Sequence, residues 1–372
     1  MSKHILITGG AGFIGSHLAD ELLAQNYRVR ALDNLSPQVH GPGRTRPKYL
    51  HDSVELIVGD VRDRDAVRRA LDGIDGVFHL AAAVGVGQSM YEIENYTSVN
   101  NLGTAVLLET LMERRVERLV VASSMSIYGE GLYRGPDGTI YSNVERNIGR
   151  LKERSWEPED PAGRVLVPIP TPETKPASLA SIYALSKYDQ ERMCLITGRA
   201  YGIPTVALRF FNVYGTRQAL SNPYTGVLAI FASRLLNDAS PLIFEDGNQL
   251  RDFINVKDIA RACRLAMEVP EAAGRVINVG TGQPRSVRQI AQQMAKVLGK
   301  EQIAATVTNQ YRVGDIRHCY ADITEAREVL GYQPRIPFEE GLEELTSWLD
   351  GQVAHDRVAE ARAELDSRGL AL

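Results

Sequence analysis

The chain has 372 residues, 44% of them hydrophobic and 24% charged, with a net charge of −4, a composition that suits a folded protein of more than one lobe with a sizeable core. Positive and negative residues are interspersed, so no basic face is offered to nucleic acid, which is excluded as a partner. The three cysteines, Cys194, Cys263 and Cys319, are widely spaced and form no metal-ligand pattern, so buried thiols in a reducing compartment are expected and a metal is not.

The N-terminus enters a strand almost at once, leaving no room for a signal peptide, and no apolar run approaches the roughly 20 residues that a bilayer span requires. A cytoplasmic location without a membrane partner is the expectation. His4-Ile5-Leu6-Ile7 is a short apolar run of the kind found in buried parallel strands, and the periodic stretch from Phe13 to Leu23 predicts a helix. Between them lies Thr8-Gly9-Gly10-Ala11-Gly12-Phe13-Ile14-Gly15. Gly9, Gly12 and Gly15 permit a tight turn, close backbone approach to a pyrophosphate and close helix–strand packing, and the helix N-terminus adds partial positive charge.

A second apolar segment, Tyr27 to Leu32, ends at Asp33, 18 residues past Gly15. A carboxylate there accepts from the ribose hydroxyls of NAD but repels the 2′-phosphate of NADP, and no arginine follows until Arg44, so NAD is the expected cofactor. The bland alternative is a strand-end Asp capping a turn. Asp60, in Gly59-Asp60-Val61, ends a third strand and is placed to reach the adenine amino group.

Further strands are predicted near 54–58, 76–80, 118–123 and 204–209, and helices near 63–71, 89–114 and 178–201, an alternation that implies a Rossmann-type doubly wound parallel sheet. After Arg209 the pattern changes. Helices near 226–237, 286–298, 322–329 and 338–350, separated by short strands, predict a smaller α+β lobe that closes a cleft over the carboxyl ends of the sheet. Residues 1–211 are thus expected to form the NAD-binding domain, with elements near 252–279 packing back onto it. Residues 212–350 would form mainly the substrate lobe, and 351–372 a polar, frayed helical tail. One irregular stretch, 132–176, is rich in Gly, Pro and charge.

Ser124 follows the fifth strand in Val121-Ala122-Ser123-Ser124-Met125-Ser126-Ile127-Tyr128-Gly129, where a side chain faces the cleft. Tyr183 and Lys187, in Tyr183-Ala184-Leu185-Ser186-Lys187, lie one helical turn apart. Alone, that pair is an ordinary exposed helical Tyr with a solvated Lys. With Ser124 and the glycine turn, the chain resembles the extended short-chain dehydrogenase/reductase superfamily in its nucleotide-sugar branch. The resemblance runs from residue 3 to about 350 through TGGAGFIG, GDVRD, HLAA, Asn100-x-x-Gly103-Thr104, SSMSIYG, YALSK, RFFNVYG, Gln249-Leu250-Arg251-Asp252-Phe253 and Arg312-Val313-Gly314-Asp315.

This resemblance implies an NAD site built from Gly9, Gly12, Phe13, Ile14 and Gly15, from Asp33, Asn34, Asp60 and Val61, and from Leu80, Ala81, Ala82, Asn100, Tyr183 and Lys187. Catalysis would fall to Tyr183, Lys187 and Ser124. Oxidising a sugar hydroxyl needs a base beside the nicotinamide. A phenol ionises near pH 10, so Tyr183 needs its phenolate stabilised by about 4 kcal/mol, which Lys187 and the cationic nicotinamide would share. Ser124 would hydrogen-bond the reacting oxygen.

In the resembling dehydratases acidic residues follow the serine, and in the decarboxylases a glutamate stands where this chain has Ser126. Here Met125 and Ser126 carry no carboxylate, which leaves a 4-epimerisation that swings the ketone and takes hydride back on its other face. Ser124, Ser126, Asn212, Phe244, Arg251 and Arg312 would hold the sugar nucleotide, the arginines on its diphosphate. Phe244 would either stack on the base or pack in the core.

Between Tyr128 and Tyr183 lie 54 residues, markedly more than common UDP-galactose epimerases have there, and long loops of this kind are often lids. The excursion closing in Pro172-Glu173-Thr174, with Asp189-Gln190-Glu191 after Lys187, is most similar to dTDP-L-rhamnose 4-epimerases. That points to a dTDP-sugar substrate and a 6-deoxy-L-talose product for surface polysaccharide such as O-antigen. The excursion lacks the cysteine pairs of some relatives. A UDP-sugar 4-epimerase, a net nucleotide-sugar oxidoreductase and a non-catalytic NAD sensor remain the alternatives, the last opposed by the intact Ser124, Tyr183 and Lys187. The predicted helices near 89–114 and 178–201 resemble those that pair in dimeric relatives, so a homodimer is expected.

Overall fold

The computed structural model describes residues 2–222, 224, 226–312, 314–350, 352, 356 and 358–370. Val313 and the tail positions 351, 353–355, 357, 371 and 372 lie outside the described residues. Five strands, β1 (His4–Thr8), β2 (Arg28–Asp33), β3 (Glu55–Val58), β4 (Gly76–His79) and β5 (Arg118–Ser124), join the strands Thr205–Phe210 and Val276–Val279 in one sheet. Its order is Val276–Val279, Thr205–Phe210, β5, β4, β1, β2, β3, and every pairing is parallel.

Side chains alternate across it: Ile5 and Ile7 enter one buried cluster with Phe78, Val120 and Ala122, while Leu6 enters the opposite one with Leu32, Val77 and Val121. Both faces are therefore covered, as a parallel sheet requires. The chain order reverses between β1 and β4. That switch point opens a crevice at the carboxyl ends of these two strands, where Gly9 N donates to Leu32 O and Leu80 N donates to Thr8 O.

Two predicted helices depart from the expected pattern. The stretch 89–114 comprises Val86–Ser89, Ile93–Tyr96, a π-helical segment Thr97–Leu102, and Gly103–Glu113. The wide turn carries Asn100 inward, and Gly103 follows it where a Cβ would lie 2.6 Å from Val61 Cγ2. The second helix starts only at Ile182, with Ser181 as N-cap accepting from Ala184 N at 3.1 Å. It runs to Tyr201.

The second lobe gathers Tyr214, Phe231, Phe253, Met294, Phe338 and Leu345 into its own core. Its longest strand, Leu250–Asn255, pairs in parallel with Asn212–Tyr214 and His318–Cys319, and antiparallel with Pro284–Ser286. The irregular stretch 132–176 has more order than its composition suggested. Leu132–Arg134, Ile140–Tyr141 and Val167–Ile169 form a small antiparallel sheet, and Asn147 caps the helix Ile148–Lys152.

An ionic knot ties this stretch to the second lobe. Arg317, fully buried, donates to Glu157, to Glu245 Oε2 at 2.9 Å and to Asp246 Oδ1 at 2.6 Å. Arg146 reaches Glu130 at 3.0 Å and Glu245 at 2.5 Å. Each of these buried charges faces an opposite one, so removing either partner would leave the other less compensated.

Candidate active site

A cavity of about 1130 Å³ runs along the crevice and under the second lobe. At one end the turn after β1 meets the helix α1 (Phe13–Ala24). Gly9 has φ +71°, where a Cβ would lie 2.9 Å from Ala81 N, and a Cβ on Gly15 would lie 2.3 Å from Gly9 O. Gly12 caps α1 with no side-chain bond, so the first amides of the helix keep their donors for a ligand. Asp33 ends β2 at the cavity wall and accepts from Ala11 N at 3.0 Å and Leu35 N at 2.9 Å. A backbone cradle that a methyl group would fill, an uncapped helix N-terminus and a buried carboxylate together fit an NAD pyrophosphate and ribose.

Asn34 donates to Asp60 Oδ2 at 3.0 Å, and Arg62 grips both Asp60 oxygens at 2.8 Å. The Arg62 hydrogen bonds hold the Asp60 carboxyl down at about 2, against the burial that opposes them. Val61, Leu80, Ala81 and Ala82 also line the cavity. Asn100 does not. Fully buried in the π turn, it takes Ala83 N at 2.7 Å and gives to Ala83 O at 3.1 Å and Ser186 Oγ at 2.9 Å. These bonds tie Asn100 to Ala83 and Ser186, and its amide oxygen, which accepts from Ala83 N, has a second lone pair.

At the centre, Ser124 Oγ accepts from Ser126 N at 3.2 Å and Ser126 Oγ at 2.9 Å, and Ser124 and Tyr183 both line the cavity. Tyr96 meets the Tyr183 ring edge-on at 6.4 Å. Burial pushes the Tyr183 phenol above its ordinary value and the Ser124 hydroxyl opposes it. Lys187 lines the cavity with Tyr183 and is buried. Its ammonium donates to Gln190 Oε1 at 2.7 Å, and burial lowers its pKa to about 8. Gln190 Nε2 in turn donates to Thr104 Oγ1 at 2.9 Å, beside the buried His79. Gln190, Thr104 and His79 lie in the sequence motifs HLAA, Asn100-x-x-Gly103-Thr104 and Asp189-Gln190-Glu191, none of which assigns them a role at the site. The contact between Gln190 and Lys187 follows from their spacing, but the partners 86 and 111 residues away do not.

At the far end Asn212, Phe244, Arg251 and Arg312 share the cavity wall. Asn212 Oδ1 is buried without a partner, an acceptor left for a ligand. The Arg312 guanidinium lies 4.7 Å over the Phe244 ring, so Phe244 faces the cavity and belongs to none of the buried clusters. Asp315 links the two arginines, taking Arg312 Nη2 at 2.8 Å and Arg251 Nη2 at 3.4 Å. Burial alone would raise its carboxyl, but Arg312 and Arg251 hold it at about 2. Among the described residues that line the cavity, the carboxylates are Asp33, Asp60 and Asp315, and each is committed to the bonds just given.

No group of His, Cys, Asp and Glu that could hold a metal occurs among the described residues, and no described helix is long and apolar enough to cross a membrane. The sequence model of the NAD dependent epimerase/dehydratase family matches residues 5–146 and 161–280. The chain is 36% identical over 354 residues to dTDP-L-rhamnose 4-epimerase of Burkholderia thailandensis, covering 93% of this chain and 95% of that protein. The structure of UDP-glucose 4-epimerase from Thermus thermophilus, solved in complex with NAD, superposes with a TM-score of 0.73 at 30% identity, covering 94% of this chain and 100% of that one. UDP-glucuronic acid 4-epimerase from Bacillus cereus, in complex with UDP-glucuronic acid and NAD, gives 0.75 at 28% identity, covering 93% and 99%.

Proposed function

We propose that this chain, which belongs to the NAD dependent epimerase/dehydratase family, is a nucleotide-sugar 4-epimerase that acts on dTDP-L-rhamnose to give dTDP-6-deoxy-L-talose. NAD, held by Gly9, Gly12, Gly15 and Asp33, supplies reversible hydride acceptance and return at the sugar carbon. Tyr183 removes the C4 hydroxyl proton and later gives it back. Ser124, which lines the cavity with Tyr183, would hold the same oxygen. Lys187 keeps a positive charge one helical turn away, and its bond to Gln190 fixes where that charge lies. Arg251 and Arg312 anchor the diphosphate while the ketone turns within the cavity.

The observation that carries this reading is the set of carboxylates in the cavity. Elimination and decarboxylation need an acid/base beside the ketone, and Met125 and Ser126 follow Ser124 without one. Asp33 and Asp60 lie at the cofactor end, and Asp315 is clamped between two arginines. The 36% identity to a dTDP-L-rhamnose 4-epimerase supports the choice of sugar. Comparing kcat/KM for dTDP-L-rhamnose, UDP-glucose and UDP-galactose by NMR of the anomeric signals tests it. Preference for a UDP-hexose would keep the 4-epimerase and remove the rhamnose assignment.

A homodimer and a cytoplasmic setting belong to the same proposal. Ile93, Leu102, Leu185 and Ile196 are large apolar side chains exposed on the helices that pair in dimeric relatives. Light scattering at micromolar concentration should give a dimer mass, and Ile196→Asp should lower it.

A further inference from the structure

The C-terminal helix Val358–Ser367 packs against the open side of the cavity, where Val358, Ala361, Arg362 and Leu365 join its lining. Ala361 and Leu365 are buried. The helix touches both halves of the molecule: Leu365 lies against Gly87, beyond β4, and the Arg368 guanidinium stands 4.5 Å over Tyr91. From the second lobe, Gln310 Oε1 accepts from Arg362 Nη2 at 2.6 Å. Arg312, Asp315 and Leu365 border one small void, so the helix runs next to the arginine pair.

The charges at this end do not balance without it. Arg251 and Arg312 both bond Asp315, so together they present about one net positive charge. A nucleoside diphosphate brings a negative charge on each phosphate. Among the described cavity-lining residues of the second lobe and tail, the remaining charged side chain is Arg362. Its fork gives one N–H to Gln310 and faces Asp366 Oδ2 from Nε at 3.7 Å on the same helix, and its other N–H groups keep their donors for a phosphate.

We propose that Arg362 is a third phosphate-binding arginine, carried over the cleft by the C-terminal helix, and that it completes the diphosphate site of this enzyme. The inference rests on the nucleotide-sugar reading above. Bound substrate would draw Arg362 down onto the diphosphate, and product release would require that bond to break.

Calorimetric titration of the holoenzyme with dTDP and UDP, with thymidine as control, tests it. A charge-assisted bond contributes roughly 10–100-fold in affinity. Arg362→Gln should weaken dTDP and UDP by that factor, leave NAD content and thymidine affinity within about twofold, and raise KM far more than it lowers kcat. Arg362→Lys should recover part of the loss. Unchanged dTDP and UDP affinity in Arg362→Gln, alongside a loss in Arg312→Gln, would overturn the role of Arg362 and leave the nucleotide-sugar reading intact. An unmodified enzyme that holds NAD but binds neither diphosphate would overturn that reading, and this inference with it.

Discussion

Lys187 donates its buried ammonium to Gln190 Oε1 at 2.7 Å. A neutral acceptor stabilises the cation less than water does, and burial lowers the lysine to about 8. The folded-state value lies below the ordinary 10.5, so the charged lysine costs stability below pH 8, and that cost fades as pH rises from 8 to 10.5. Lys187→Met should therefore raise the melting temperature at pH 7 by roughly 2–6 °C while abolishing turnover. Its advantage over the unmodified protein should shrink towards pH 10. A variant equally or less stable at pH 7 would contradict the cost assigned to this charge.

Tyr183→Phe keeps the ring that meets Tyr96 and removes the base. Turnover should fall by at least about 100-fold, the lower bound of general acid–base catalysis, with NAD still retained. Because burial raises the phenol, the unmodified enzyme should lose activity as pH falls, and the variant's residual rate should lack that acid limb. Retention of more than about a tenth of the rate would remove Tyr183 from the role of base.

Asp33 accepts two backbone bonds at the cavity wall, and Arg62 lies close by on Asp60. NAD should bind the unmodified protein more tightly than NADP by at least tenfold. Asp33→Ala should narrow the ratio, because the repelling carboxylate is gone and Arg62 remains. Fluorescence titration of cofactor-stripped protein measures both, and equal affinities before mutation would take Asp33 out of the ribose site.

Arg317→Met leaves Glu245 buried with Arg146 as its remaining arginine, Glu157 with His318, and Asp246 with Asn248. Breaking one side of a buried network costs about 3–5 kcal/mol. The urea midpoint should drop accordingly, and limited proteolysis should then cut within 132–176. An unchanged midpoint and cleavage pattern would mean that the knot does not hold the excursion.

The glycine turn, Asp33 and the Tyr183/Lys187 pair were legible because each depends on local geometry: a strand end, a helix start, or one turn of helix. The parallel sheet was legible for a similar reason, since Ile5, Leu6 and Ile7 are apolar on both faces. Contacts that join distant segments left no such trace. Arg146, Glu157 and Arg317 each look like solvated charges in a polar stretch, and only the fold brings them together. The π turn that pulls Asn100 behind the wall is a change in backbone hydrogen bonding, to which side-chain periodicity is blind. The tail did carry a weak signal, Ala361 and Leu365 four residues apart, but two apolar positions on a polar helix do not show what they cover.

The most direct test of the 4-epimerase chemistry uses dTDP-L-rhamnose deuterated at C4, incubated with the enzyme as purified and without added cofactor, in ordinary water and, unlabelled, in deuterium oxide. New anomeric signals of the talo sugar should appear with the label still at C4, and C5 should take up no solvent deuterium. Washing out of the C4 label, or solvent deuterium at C5, would contradict an epimerisation confined to C4.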